Sequence, residues 1–82
     1  KEGSSQMRYS RVNFEKESRS TILAMAEVNI LDLERRSGPD YRFLARQDRE
    51  SLTVHQGEVG QPCTSCGQPW PCGFIQAIFA DL

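Results

Sequence analysis

The sequence predicts a mainly α fold: a helical hairpin, then a zinc knuckle and a short C-terminal helix. Three observations carry this. Residues 22–33 read ILAMAEVNILDL, with nine apolar residues in twelve and neither Pro nor Gly. A Ser37-Gly38-Pro39-Asp40 break follows, and behind it lies a second stretch with helical periodicity. Then His55, Cys63, Cys66 and Cys72, the chain's one His and three Cys, fall within eighteen residues.

Residues 1–12 are polar and without sustained period, so they read as a flexible or loosely docked arm ahead of a single domain over residues 13–82. Asn13 and Ser18 are the candidate N-caps of the first helix. The Leu, Met and Ala content of residues 22–33 favours helix over strand. Ile22, Met25, Ala26 and Leu33 form one stripe, and Leu23, Ile30 and Leu31 widen it beyond an ordinary amphipathic face. A helix apolar on most sides is either wrapped by its own domain or shared with a partner. A chain of 82 residues has little to wrap it with. Ile22, Met25, Ile30 and Leu33 are therefore expected to bind a protein partner, either another chain or a second copy in a homodimer.

Gly38 suits the left-handed position after a helix, Pro39 cannot continue that helix, and Asp40 is a ready cap for the next. So short a link predicts an αα-hairpin. The second helix is expected from Tyr41 to Val54 or His55. Tyr41, Leu44, Ala45, Leu52 and His55 share one of its faces, with Asp48 at the edge. Arg42, Arg46 and Arg49 line a flank. They read as a solvated face with acidic neighbours, or as a contact for an acidic protein surface or phosphate. Phe74, Ile75, Ile78, Phe79 and Leu82 predict a last helix of about ten residues, starting near Cys72 with Pro71 at or just before its first turn.

Length bounds the energetics. One domain of this size has a core worth about 3–5 kcal/mol, and a structural metal adds folding free energy directly. The net charge of −1 argues against nucleic-acid binding by bulk charge. The charge is uneven: residues 1–49 hold all ten Lys and Arg with eight acids, a balance of +2, and residues 50–82 hold three acids and no base, a balance of −3. Three cysteines cannot all pair in intramolecular disulfides. Neither a signal peptide nor a run approaching the ~18 apolar residues of a membrane span is present. The expected compartment is the cytoplasm, with no membrane partner.

The cluster reads H-x7-C-x2-C-x5-C. Thiolates and imidazole at such spacing are what a tetrahedral Zn2+ site needs. Cys63-Thr64-Ser65-Cys66-Gly67 has the form of a zinc knuckle: two residues between cysteines let both sulfurs face one ion, and Gly67 supplies the backbone angle of the turn. Cys72 would stand at a helix N-terminus, where the dipole favours a thiolate. His55, ending the second helix, is the candidate fourth ligand; in the other reading it only packs, and the site is three-coordinate or completed by another residue or chain. A closed set of four leaves no open position for catalysis. An iron–sulfur cluster is the competing cofactor, although four cysteines are its usual requirement. Trp70, between Pro69 and Pro71, either covers the metal site or stands exposed as a partner anchor.

Residues 55–72 (HQGEVGQPCTSCGQPWPC) resemble the tail of short actinobacterial and actinophage proteins that carry a His, a spacer and then C-x-x-C-G-x-x-W-P-C. Trp70, Pro71 and Cys72 match its end, and Gln68 and Pro69 stand at its variable positions. The resemblance implies a zinc-bearing end. The His and C-x-x-C pair is also similar to that of zinc-dependent anti-sigma factors, small helical proteins that respond to thiol oxidation. Here seven residues, not three, separate His55 from Cys63, and Cys72 is additional.

No glycine-rich phosphate loop, paired carboxylate or nucleophile–base pair stands out; Ser51 and His55 are four apart on one helix, and His55 is better employed on metal. The expected function is a small non-enzymatic zinc-binding protein acting as a protein–protein interaction or regulatory module. The alternative is a thiol or metal redox switch of anti-sigma or iron–sulfur type. A second alternative is nucleic-acid binding through Arg42, Arg46 and Arg49.

Overall fold

A computed structural model describes residue 9 and residues 12–80 of the chain. The arm expected over residues 1–12 lies outside the described residues except at Tyr9 and Val12. The described chain forms α1 (Arg19–Arg35), α2 (Pro39–Val54), α3 (Gly73–Gln76) and a 3-10 turn over Ala77–Phe79. The mainly helical fold with its hairpin is as the sequence predicts.

Ser18 is the residue that caps α1. Its hydroxyl oxygen accepts the Thr21 N–H at 3.3 Å, which satisfies one of the donors that a helix start leaves without partners. Asn13 instead closes the preceding turn, accepting the Glu15 N–H on its side chain. At the far end the Arg36 N–H reaches the Leu33 carbonyl. The link to α2 differs from the expected one. Gly38 has a positive φ of 117°, as the glycine was expected to have, but it takes the N-cap position of α2. Pro39 opens α2 rather than ending α1, and Asp40 lies within the first turn instead of capping it. Proline suits that first position because its missing N–H would have no partner there.

The core corrects the reading of α1. Ile22, Ala26, Ile30 and Leu33 recur on one face and are buried. Ala45 is the buried contribution of α2, with Tyr41, Leu44 and Leu52 partly buried around it. Trp70, Ile75, Ile78 and Phe79 arrive from the C-terminal segment, and Phe14 meets Phe79 edge-on with centroids 5.3 Å apart. The C-terminal segment thus supplies the wrapping that the chain was expected to lack. Ile22, Ile30 and Leu33 are packed inside the domain and present no partner surface, and Met25 is partly buried against the same core. Trp70 is only 2% exposed, which removes it as a surface anchor.

One polar side chain sits among these apolar ones. Asn29 on α1 is 0% exposed. Its Oδ1 accepts the Tyr9 N–H at 2.7 Å, and its Nδ2 donates to the Tyr9 carbonyl at 2.8 Å and to the Ile78 carbonyl at 3.1 Å. A buried amide is tolerated when its hydrogen-bonding groups are matched in this way. Asn29 therefore fastens an N-terminal segment and the C-terminal turn to the same helix.

Candidate metal centre

Three local devices deliver the four ligand candidates: the end of α2, the knuckle turn and the start of α3. His55 is the residue at which α2 ends; its N–H still bonds to the Ser51 carbonyl at 2.8 Å while its backbone leaves helical geometry. The loop after it returns along the 68–70 segment. Gly60 N–H donates to the Trp70 carbonyl at 2.8 Å, Trp70 N–H to Gln61 at 2.7 Å, and Cys63 N–H to Gln68 at 2.7 Å. The knuckle closes where Gly67, with φ at 79°, donates its N–H to the Cys63 carbonyl at 3.0 Å. An L side chain is strained at that φ. Cys72 is the N-cap of α3.

The outcome is a compact donor set. His55, Cys63, Cys66 and Cys72 offer ligand atoms that all lie within 4.8 Å of one another. A tetrahedral ion with bonds of about 2.0–2.3 Å spans ligand pairs of roughly 3.3–3.8 Å, so small side-chain movements suffice to close the four around one ion. His55 faces the cysteines through Nδ1, 3.4 Å from Cys63 Sγ. Three cysteines and one histidine close enough to share a metal ion are the chemical content of this site.

The surroundings favour thiolates at one position and oppose them at another. Burial pushes the Cys63 thiol up, but the N–H groups of Cys66 and Ser65 and the His55 ring outweigh it and hold Cys63 at about 6. Cys66 is shifted upwards: the Gln68 N–H favours its thiolate, while burial and the neighbouring Cys63 and Cys72 sulfurs oppose it more strongly together. A divalent cation between these sulfurs reverses that mutual repulsion.

Two aromatic side chains hold the histidine. The Trp70 indole N–H donates to the His55 carbonyl at 3.0 Å. The Phe74 ring stacks on the imidazole with centroids 4.1 Å apart and an angle of 14° between planes. Phe74 was expected on the buried face of the last helix; instead it is 55% exposed and covers His55. Arg19 of α1 adds a clasp, donating to the Gly57 carbonyl at 2.8 Å with its guanidinium 5.9 Å from the centre of the Trp70 ring.

No protein-family model, curated protein or solved structure matches this chain. The site's own chemistry therefore carries the argument.

The arginine stripe divides. Arg49 is engaged, 3.0 Å from Glu27 and 3.1 Å from Glu34 on α1, and its guanidinium is held above its ordinary range by the Glu34 hydrogen bonds first. Arg42 and Arg46 are exposed on α2. Between them in sequence, Phe43 is 64% exposed, and the three line a cleft of about 700 Å³ that Glu34 and Pro39 help to close. Phe43 escaped the sequence reading because an isolated aromatic on a polar flank carries no periodic signal. Among the described residues, no helix is long and apolar enough to cross a membrane.

Proposed function

We propose that this chain is a zinc-stabilised, non-enzymatic helical module that binds an acidic protein segment. The observation that carries the metal half is the convergence of three sulfurs and one imidazole nitrogen within 4.8 Å. Sulfur-rich tetrahedral sets suit Zn2+, and a filled set of four protein ligands is structural rather than catalytic. Elemental analysis with an absorbance spectrum tests it. One zinc per chain and no visible colour is the expected result; iron with a charge-transfer band would replace this reading with the iron–sulfur one.

The binding half rests on the α2 cleft. Phe43 offers an apolar anchor and Arg42 and Arg46 offer cations in the same cleft, so the complementary partner is an acidic segment with a bulky apolar residue. Aromatic and Arg side chains are the types that dominate interface energetics. A synthetic acidic amphipathic peptide should bind the wild-type protein, and Phe43→Ala or the Arg42→Glu, Arg46→Glu pair should abolish binding. Equal binding by all three proteins would remove the cleft from the proposal. A strongly salt-dependent association with DNA or RNA in place of the peptide would favour the nucleic-acid reading.

A second reading, a metal centre that responds to thiol oxidation, is favoured by one observation: Cys66 is partly exposed while Cys63 and Cys72 are buried.

A further inference from the structure

We infer that Cys66 is the point at which small disulfide oxidants enter the metal centre, through the pocket between α2 and the α3 turn. The inference rests on the zinc reading above and gives it an entry route, a reagent class and an order of events.

Access separates the three sulfurs. Cys63 and Cys72 are 4% and 2% exposed, and neither belongs to the lining of the cavity that Cys66 reaches. Cys66 is partly exposed and forms part of the wall of a cavity of about 670 Å³. Gln47 and Ser51 of α2 form one side of that cavity, and Phe74 and Ala77 form the other. Asp48 and Gln68 complete the lining, so an apolar ring and a methyl group beside a sulfur, with a carboxylate on the wall, make a berth for a small, flat molecule without negative charge.

The chemistry needs a reagent that accepts two electrons, and a small-molecule disulfide RS–SR supplies that capacity. The Cys66 thiolate attacks one sulfur of RS–SR; a Cys66 S–S bond forms, the original S–S bond breaks, and RS⁻ leaves with its electron pair. The Cys63 thiolate then attacks the Cys66 sulfur, forming a Cys63–Cys66 disulfide and expelling the second RS⁻. Two protein thiolates are oxidised, one external disulfide is reduced to two thiolates, and Zn2+ departs unchanged in charge because two of its four ligands are gone. Exchange of this kind depends on the attacking thiol's access as well as its thiolate character.

The test uses the full chain loaded with zinc and a substoichiometric dose of dipyridyl disulfide. Peptide mass spectrometry locates the first adduct, released thiopyridone gives its rate, and a chromogenic chelator reports zinc. The first adduct should fall on Cys66, ahead of zinc release. Ala77→Phe, which fills the cavity from its exposed rim without altering a ligand, should retain zinc and react roughly tenfold more slowly, as a steric barrier of that size requires. A first adduct on Cys63 or Cys72 would overturn the proposal. So would an Ala77→Phe protein that holds zinc and reacts as fast as wild type. If that variant does not fold, adduct order in the wild-type protein decides alone. A chain that holds no zinc after reconstitution overturns the zinc reading itself; zinc retained with the wrong adduct order overturns only the entry route.

Discussion

Asn29 makes three hydrogen bonds from a fully buried side chain, one of them, to the Ile78 carbonyl, itself buried. Substitution by Leu keeps similar volume but leaves the Tyr9 N–H and the Tyr9 and Ile78 carbonyls without this partner. Losing a buried hydrogen-bond partner costs about 1–3 kcal/mol, so Asn29→Leu should lower the stability of the zinc-loaded protein by about 1–3 kcal/mol in urea titration. An unchanged midpoint would show that these groups find other partners. The residue was visible in the sequence as an amide interrupting ILAMAEVNIL, seven positions after Ile22 and so on the buried stripe. Periodicity showed where it lay and could not show what it bonded to, because its partners are 20 and 49 positions away. The four candidate metal ligands were legible for the opposite reason: they lie close together in sequence, and their chemistry is specific. Which sulfur faces a cavity depends on how the knuckle packs against α2, and spacing does not encode that.

The two long helices follow from local rules, and their ends can be tested locally. Ser18→Ala removes the oxygen that accepts the Thr21 N–H. It should cost about 1 kcal/mol, measured as a lowered thermal midpoint with zinc content unchanged; a loss of zinc on this substitution would mean that the cap does more than start α1. The existence and approximate extent of α1 and α2 were readable from the apolar period and the Gly38-Pro39 break, but the caps were not: Asn13 and Ser18 both stood as candidates, and α2 starts at Pro39 rather than at Tyr41. The last helix was misread in length. Its apolar spacing predicted about ten residues, yet α3 holds four residues and gives way to a 3-10 turn of three. The Ile78 carbonyl accepts from Asn29 Nδ2, and Ala80 takes an extended backbone. A tertiary hydrogen bond meets the chain where the helix stops, and single-segment patterns contain no sign of it.

At the scale of the molecule, the metal centre and the apolar face of α1 depend on each other. Trp70 is buried in the core and also donates to the His55 carbonyl. Ile75, Ile78 and Phe79 follow Cys72 directly and bury the face that Ile22, Ala26 and Ile30 present. Structural zinc sites contribute folding free energy outright. Chelation should therefore do more than empty the site. The C-terminal segment should detach, and α1 should become the exposed apolar surface that its sequence resembles. A hydrophobic dye should bind the chelated protein and not the zinc-loaded one, and light scattering should report self-association after chelation. A chelated protein that stays monomeric and dye-silent would show that the core holds the segment without metal. The apolar excess of α1 thus foretells a surface of the metal-free chain more than one of the folded domain.

The long span of that cover bears on how the chain comes into being. Asn29 is made 49 residues before the Ile78 carbonyl that it holds, and the α1–α2 hairpin is complete before any cysteine has been added. While a ribosome extends the chain, the part of the apolar side of α1 that Ile75, Ile78 and Phe79 cover stays bare until Phe79 has cleared the exit tunnel. A nascent chain stalled before Cys72 should consequently be a chaperone client, and one released past Phe79 in the presence of zinc should not.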